Sequence, residues 1–434
     1  MSLIKMQNGG NNSVQLDVER IVLPNGLILL LSENHRIPAV SINAIVKAGS
    51  RYESDDQAGL ASFVGEMLSE GTHSRTSQQI ALAIESVGGI FITAGGYNQS
   101  GVSATALSKD FDLALTLTAD VLMNAGFPDD RVKQQIDKRI AQIRSRRDEP
   151  QNLGLDHFNE LIARGHPRHR PEIGYEETIA RLSRQELMDF YRRFYIPNNT
   201  IIAVVGDIDK AEARRKIEEA FINWRPDPDF IEPSIPEISR QTAPITRFVN
   251  VDKAQVNIFI GHLGIKRNNP DYYTLQVLDV ILGSSPGFTS RIPRILRDEQ
   301  GLAYTTYASI TRSAGLDPGQ FIAYIGTSPE FLPRAIGGIR REIERIVIED
   351  VTEEELEDAK AYLTGSFVFE FETNAQIAAF LVSAEIYGLG FDYLQRYPEL
   401  INRVSVRDVR RAAQEYIDPE NLTVVVVGPV EEQE

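Results

Sequence analysis

The sequence has 434 residues, of which 42% are hydrophobic, so it can bury large cores and exceeds the usual size of one domain. Its net charge of -16 argues against nucleic-acid binding, which requires clustered cations. The absence of cysteine excludes disulfides and thiolate metal sites. No apolar run approaches the length of a membrane span, so we expect a soluble chain, and the sequence leaves its compartment open.

The first half of the chain alternates predicted strands and helices. Residues 1–15 are rich in Gly and Asn, and we expect a flexible tail. A hairpin follows, in which a Pro-Asn-Gly turn at 24–26 joins two apolar strands. Hydrophobic periodicity then predicts strands at 39–46, 90–97, 101–107 and 200–205, and helices at 59–72, 76–87, 110–124, 129–147, 153–163 and 183–195.

A linker at 225–244 separates two similar halves. It contains prolines at 226, 228, 233, 236 and 244, which cannot donate backbone hydrogen bonds. Beyond it, Gly59 and Gly89 are matched by Asp271 and Gly301, each 212 residues later in the chain. The pattern predicts an internal duplication of α+β class, with half-domains at 16–224 and 245–434. In each we expect a largely antiparallel sheet with helices packed on one face.

The segment 59–72 reads Gly-Leu-Ala-Ser-Phe-Val-Gly-Glu-Met-Leu-Ser-Glu-Gly-Thr, with apolar residues at helical spacing. It resembles the metal-binding helix of the pitrilysin or insulinase family of inverzincin metallopeptidases, in its processing-peptidase branch. In that family, His-x-x-Glu-His lies between Gly-Leu-Ala and Met-Leu. Here the five motif positions are occupied by Ser62, Phe63, Val64, Gly65 and Glu66.

These replacements remove the chemistry of a zinc peptidase. A catalytic zinc site needs three protein ligands and an open position for water. Serine is a poor ligand at Ser62, and Gly65 cannot serve as a general base, so Glu66 is the one remaining candidate ligand on this helix. The family takes its third ligand, and another functional acid, from a later helix. Those positions fall at Gln142 and Gln135, both neutral amides.

Other metal sites are not predicted. The six histidines include no pair at His-x3-His spacing, so we interpret them as structural. The helix 129–147 also carries a cationic run, which we interpret as a solvated or ion-paired face. Its members are Lys133, Lys138, Arg139, Arg144, Arg146 and Arg147.

A second resemblance lies in the other half of the chain. Residues 296–304 read Leu-Arg-Asp-Glu-Gln-Gly-Leu-Ala-Tyr, similar to a Leu-Arg-x3-Gly-Leu-Ala-Tyr segment of the family. There an Arg and a Tyr, seven residues apart, project toward a zinc site held by the opposite half or by a second chain. Arg297 and Tyr304 match that spacing. The alternative is a helix-end cation and a half-buried strand aromatic.

The two resemblances together imply a subunit without zinc in a two-chain peptidase. Arg297 and Tyr304 would act in trans on peptides, and zinc would be held by a homologous partner subunit in a heterodimer or larger assembly. Two other interpretations remain open: a structural core subunit without proteolytic function, and a homodimeric peptide-binding chamber. We expect no nucleic-acid partner and no membrane-spanning segment.

Overall fold

The computed structural model describes residues 16–285 and 289–431, and the predicted tail at 1–15 lies outside them. The described chain forms two compact units, each discontinuous in sequence. The first contains the chain up to Ile143, Pro171–Ile235 and Val368–Gln395. The second contains Arg144–Arg170, Pro236–Phe367 and the chain from Arg396 onward. None of the helices in the described ranges combines the length and apolar character needed to cross a bilayer.

The strands of the first unit are β1 (Val18–Val22), β2 (Ile28–Glu33), β3 (Ala39–Val46), β4 (Ile90–Gly95), β5 (Ser100–Leu107) and β6 (Thr200–Gly206). Those of the second unit are β7 (Ile245–Asn250), β8 (Val256–Leu263), β9 (Ala303–Ser309), β10 (Gln320–Thr327) and β11 (Thr423–Gly428).

The helices before residue 230 are α1 (Leu60–Met67), α2 (Ser77–Glu85), α3 (Phe111–Met123), α4 (Asp129–Arg147), α5 (Pro150–Ile162), α6 (Glu176–Ile179), α7 (Arg184–Phe194) and α8 (Lys210–Phe221). Those after it are α9 (Tyr272–Asp279), α10 (Leu332–Ile348), α11 (Glu353–Ser366), α12 (Asn374–Tyr387), α13 (Tyr393–Asn402) and α14 (Val406–Tyr416). Two further segments, Val280–Ser284 and Pro293–Glu299, are π-helical.

The two sheets have the same topology, which confirms the predicted duplication. The first has the strand order β1-β2-β6-β3-β5-β4 and the second β7-β11-β8-β10-β9. Each contains one parallel pair, β2 with β6 and β7 with β11, and its other pairs are antiparallel. The order of the second sheet therefore repeats that of β2, β6, β3, β5 and β4. The 212-residue offset holds for α1 and α9, which begin at Leu60 and Tyr272.

One face of the first sheet packs on the main core of its unit. Val40, Ile42 and Val204 are buried there with residues of α1, α3 and α7. Alternate residues of β6, including Ile201 and Val205, point to the opposite face. That second apolar face is what a further helix covers.

The covering helix comes from the far half of the sequence. Leu381 and Val382 of α12 pack on Leu30, Ile201 and Val205. The second unit receives a helix in the same way, because Phe158 and Leu161 of α5 pack on Phe259 and Val425. The structure thus has the predicted α+β class, with one exchanged helix on the second face of each sheet. The compact units differ from the sequence halves by this exchange.

Candidate functional site

The degenerate motif lies on a short helix that begins with a well-defined cap. Gly59 precedes α1 with φ of 96°, a left-handed conformation that glycine adopts without steric cost. The buried carboxylate of Glu53 accepts hydrogen bonds from the backbone N–H groups of Gly59 and Ala61. A carboxylate at this end also stabilises the helix dipole. The cap and the buried face of α1 hold the motif positions in fixed orientations.

Ser62, the first motif position, is buried and its hydroxyl group is fully engaged. Its Oγ donates to the carbonyl oxygen of Glu172 at 2.5 Å and accepts from Nη1 of Arg139 at 3.0 Å. The serine therefore joins α1 to α4 and to the segment before α6. This is a structural network rather than an open ligand position.

Gly65, at the position of the catalytic glutamate in the motif, faces the edge strand β4. A Cβ atom at this position would lie 2.6 Å from the backbone nitrogen of Gly95 and 2.7 Å from the carbonyl oxygen of Ala94. Real Cβ atoms do not approach other heavy atoms this closely, so α1 or β4 would have to shift to admit one. The close packing of α1 on β4 leaves no room for a general base here.

Glu66, the last motif position, is paired with an arginine from α4. Its Oε2 lies 2.6 Å from Nη2 of Arg139, with the glutamate side chain 53% exposed and the arginine side chain 2% exposed. The guanidinium carbon also lies 5.5 Å from the ring centroid of Phe63, and Nη1 donates to the carbonyl oxygen of Ile173. A buried cation therefore occupies the space beside the motif.

The two glutamines on α4 have no catalytic arrangement. Nε2 of Gln135 donates to Oε1 of Glu70 at 2.7 Å, in a network that also contains an ion pair between Glu70 and Arg131. Gln142 is exposed to solvent. Both are one turn of helix from Arg139, which stands between them in the sequence.

Arg297 belongs to the second unit, on the π-helical segment 293–299. Two residues after this segment, Gly301 has a φ of 63°, and its N–H group donates to the carbonyl oxygen of Arg297. The Arg297 side chain is 28% exposed, and its Nε lies 3.6 Å from Oδ1 of Asp298. Its guanidinium carbon lies 5.9 Å from the ring centroid of Tyr304. The structure therefore brings this predicted pair together.

Tyr304 is presented by an irregularity in the edge strand β9. Thr305 pairs with Gly326, but the next pair along β10 joins Ala303 to Thr327, so Tyr304 is an extra residue without a partner in the ladder. Such a bulge reorients the side chain and is common next to functional sites. Its side chain is 83% exposed, whereas Tyr307, on the same strand, packs against Tyr324 at a centroid distance of 5.2 Å. The expected alternative of a half-buried strand aromatic is therefore wrong for Tyr304.

Two family models match most of the chain. The model described as insulinase (peptidase family M16) matches residues 28–176, and the model described as peptidase M16 inactive domain matches residues 181–363. The chain belongs to the insulinase, or M16, family.

Individual relatives match this M16 chain along nearly its whole length. An uncharacterized zinc protease of Rickettsia bellii (strain RML369-C) is 26% identical over 416 residues, which is 94% of this chain and 96% of the relative. An M16 inactive domain from Pseudomonas fluorescens has a TM-score of 0.89 at 24% identity, covering 96% of this chain and 100% of that one. A chain of Complex III2 from Candida albicans has a TM-score of 0.77 at 20% identity, covering 95% and 96%. The two structural likenesses establish the fold alone.

Zinc does not fit the motif region of this M16 chain. Ser62 is hydrogen-bonded to backbone and guanidinium, Gly65 admits no side chain, and Glu66 neutralises Arg139. Within residues 16–285 and 289–431, no group of three His, Asp or Glu side chains is arranged to hold a metal ion. The family's metal chemistry therefore has no set of ligands among the described residues.

The sequence prediction missed the position of Arg139. The expected solvated or ion-paired face fits the exposed Lys133 and Lys138, whereas Arg139 is buried. A signal was present in the spacing. Arg139 falls seven residues after Val132 and four before Ile143, both of which are buried, so it lies on the inward stripe of α4.

Proposed function

We propose that this chain is the metal-free subunit of a two-chain M16 peptidase and lends Arg297 and Tyr304 to the zinc site of a homologous partner. The observation that carries the proposal is the exposed Tyr304 at the β9 bulge, with the Arg297 guanidinium 5.9 Å away. A large aromatic side chain that is 83% exposed gains little from its own fold. The position of Tyr304 beside the Arg297 guanidinium suits a contact with another molecule.

The pair has a defined use in peptide hydrolysis. Attack on a peptide carbonyl builds negative charge on its oxygen, and a phenol that donates a hydrogen bond there lowers the barrier. An arginine can hold a peptide carbonyl or carboxylate through two directed N–H groups. We assign Tyr304 to the developing oxyanion and Arg297 to substrate binding. Peptides are the substrates, and zinc belongs to the partner.

The experiment compares this chain, a homologous chain with an intact His-x-x-Glu-His motif, and their mixture. We expect hydrolysis of a fluorogenic peptide from the mixture and little from this chain alone. In the mixture, Tyr304→Phe should lower kcat about 100-fold, the usual cost of one oxyanion donor. Arg297→Ala should mainly raise KM, because it removes a contact to bound substrate.

Matched controls come from the same unit. Arg294→Ala removes an arginine of the same helical segment that pairs with Glu299 on the surface. Tyr362→Phe removes the hydroxyl group of another exposed tyrosine. Both controls should leave turnover unchanged. If they lower turnover as much as the Arg297 and Tyr304 variants, or if none of the four has an effect, the proposed role in trans is wrong.

A second candidate is a structural subunit that keeps the fold without taking part in proteolysis. The likeness to a chain of Complex III2 favours this candidate. It predicts assembly with a partner and no effect of either pair variant on turnover. The third interpretation, a homodimeric peptide-binding chamber, can be tested on this chain without a partner. A homodimer of this kind would protect extended peptides from a general protease without cleaving them.

A further inference from the structure

The side chains at the first and last motif positions on α1 both contact the guanidinium group of Arg139. Residues 62 and 66 are four apart on a helix, so their side chains share a face, as the ligands of a metal ion must. Here Ser62 Oγ lies 3.0 Å from Nη1 of Arg139, and Glu66 Oε2 lies 2.6 Å from Nη2 of the same residue. A single guanidinium is therefore held where two metal ligands would meet.

We infer that Arg139 is an internal cation that takes the place of the metal ion between α1 and α4. It neutralises Glu66 and excludes zinc even when ligands are restored around it. The first unit has thus exchanged a metal ion for a side chain of its own. This inference concerns the first unit alone and does not depend on the roles proposed for Arg297 and Tyr304.

The contacts of Arg139 show how the guanidinium serves a structural purpose. Nη1 bonds both the Ser62 hydroxyl and the carbonyl oxygen of Ile173, so one group links α1, α4 and the segment that precedes α6. The face of Phe63 lies beside the cation at 5.5 Å. A structural metal ion links separate segments in a similar way, through ligands drawn from each.

Electrostatics explains why zinc would be excluded. An ion bound by residues 62 and 66 would lie within contact distance of the guanidinium, which is 2% exposed and poorly screened by solvent. Arginine stays protonated at all ordinary pH values, so it cannot relieve the repulsion by losing its charge. A lysine or histidine at this position could do so.

The first experiment restores ligands in the full chain with and without the cation. The ligand set is Ser62→His, Glu66→His and Gln142→Glu, combined with native Arg139, with Arg139→Ala, or with Lys138→Ala as the control for charge. We expect zinc to bind at least about tenfold more tightly in the Arg139→Ala combination, since each 1.4 kcal/mol of repulsion is worth a factor of ten. The native and Lys138→Ala combinations should bind alike. Zinc binding equal in all three combinations, or absent from all three, would overturn the inference.

The second experiment tests the structural role without added ligands. In the otherwise native chain, Arg139→Gln should lower the melting temperature of the first unit by roughly 4–8 °C, because it removes the hydrogen bonds from Nη1 to the buried Ser62 hydroxyl and to the carbonyl oxygen of Ile173. Lys138→Gln makes the same change of charge at the neighbouring exposed residue and should shift it by less than about 2 °C. Equal shifts for the two variants would show that the guanidinium is an ordinary surface charge.

Discussion

At the scale of single residues, the replaced motif positions differ in whether they still carry a polar side chain. Ser62 and Glu66 keep polar side chains and use them in contacts with Arg139. Gly65 has no side chain, and the backbone of β4 fills the space that one would need. Substituting ligands and removing Arg139 could therefore rebuild a metal site before a general base could be rebuilt.

The packing at Gly65 leads to a first prediction. Gly65→Ala should reduce the free energy of unfolding by about 1–3 kcal/mol, because overpacking forces α1 or β4 to move. Gly365→Ala, in the exposed last turn of α11, is the control, since nothing lies within 4 Å of its added Cβ. That variant should instead gain roughly 0.5–1 kcal/mol. Urea unfolding measures both, and a gain at both positions would contradict the packing argument.

His262 leads to a second prediction, on pH. Burial lowers the pKa of His262 to about 4, with a further contribution from the nearby Arg240. Its Nδ1 bonds the carbonyl oxygen of Leu263, and its Nε2 accepts the backbone N–H of Asp418. Because the unfolded chain takes up the proton first as pH falls, stability from His262 is complete above pH 6.5 and declines toward pH 4. The loss is roughly 3 kcal/mol over that range.

The measurement must separate the effect of His262 on the pH dependence of stability from the opposite effect of a buried acid, Asp279. Burial raises the pKa of Asp279 to about 6, so its folded form takes up the proton first and stability rises as pH falls from 6 toward 3.8. The two effects oppose each other in the native chain. The stability difference between native protein and His262→Gln should therefore be compared at pH 7.5 and 4.5. We expect it to shrink at the lower pH, and a constant difference would contradict the assignment.

The sequence alone reveals which metal-ligand positions have been replaced, but it does not reveal which polar side chains are buried. Serine, glycine and glutamine at ligand positions are visible without coordinates because the chemistry of a ligand depends on residue type. The burial of Arg139 depends on which neighbours close over it, and the surrounding arginines and lysines suggested an exposed face. Similarly, the exposure of Tyr304 follows from one unpaired strand residue.

At the scale of elements, several boundaries were predicted closely. The predicted helix 129–147 coincides with α4, and the Pro-Asn-Gly turn joins β1 and β2 as expected. These elements have clear local signals in apolar spacing and turn residues. The bulge in β9 has none, because it is defined by pairing with β10. The change from α9 to the π-helical segment Val280–Ser284 likewise has no local signal that sequence reasoning used.

The exchanged helices lead to a third prediction. Leu381 of α12 is fully buried on the first sheet, and Phe158 of α5 is fully buried on the second. Leu381→Ala should cost about 2–5 kcal/mol and speed amide hydrogen exchange in β6 while leaving β11 protected. Phe158→Ala should do the reverse. The result that would contradict the exchange is loss of protection in β11 after Leu381→Ala, with β6 unchanged.

At the scale of the whole molecule, the duplication could be read from the sequence and the exchange could not. Repeated offsets of 212 residues reflect the order of elements along the chain, which the repeated strand order confirms. Which sheet receives α5 or α12 is decided by apolar faces that meet only after folding. The π-helical segment and bulge that present Arg297 and Tyr304 belong to one of two related units. The other unit holds Arg139 in the motif region.

In the proposed assembly, Tyr304 of this chain approaches a metal ion held by another chain, and a spin label can test that approach. Because the sequence contains no cysteine, Tyr304→Cys provides a single attachment site for a nitroxide label. Ile348→Cys, at the exposed end of α10, provides the control. With Mn²⁺ in place of zinc in the partner, we predict strong paramagnetic relaxation of the label at 304 and little at 348. Equal relaxation at the two positions in the assembled complex, or none at 304, would contradict the proposed role of Tyr304 in trans.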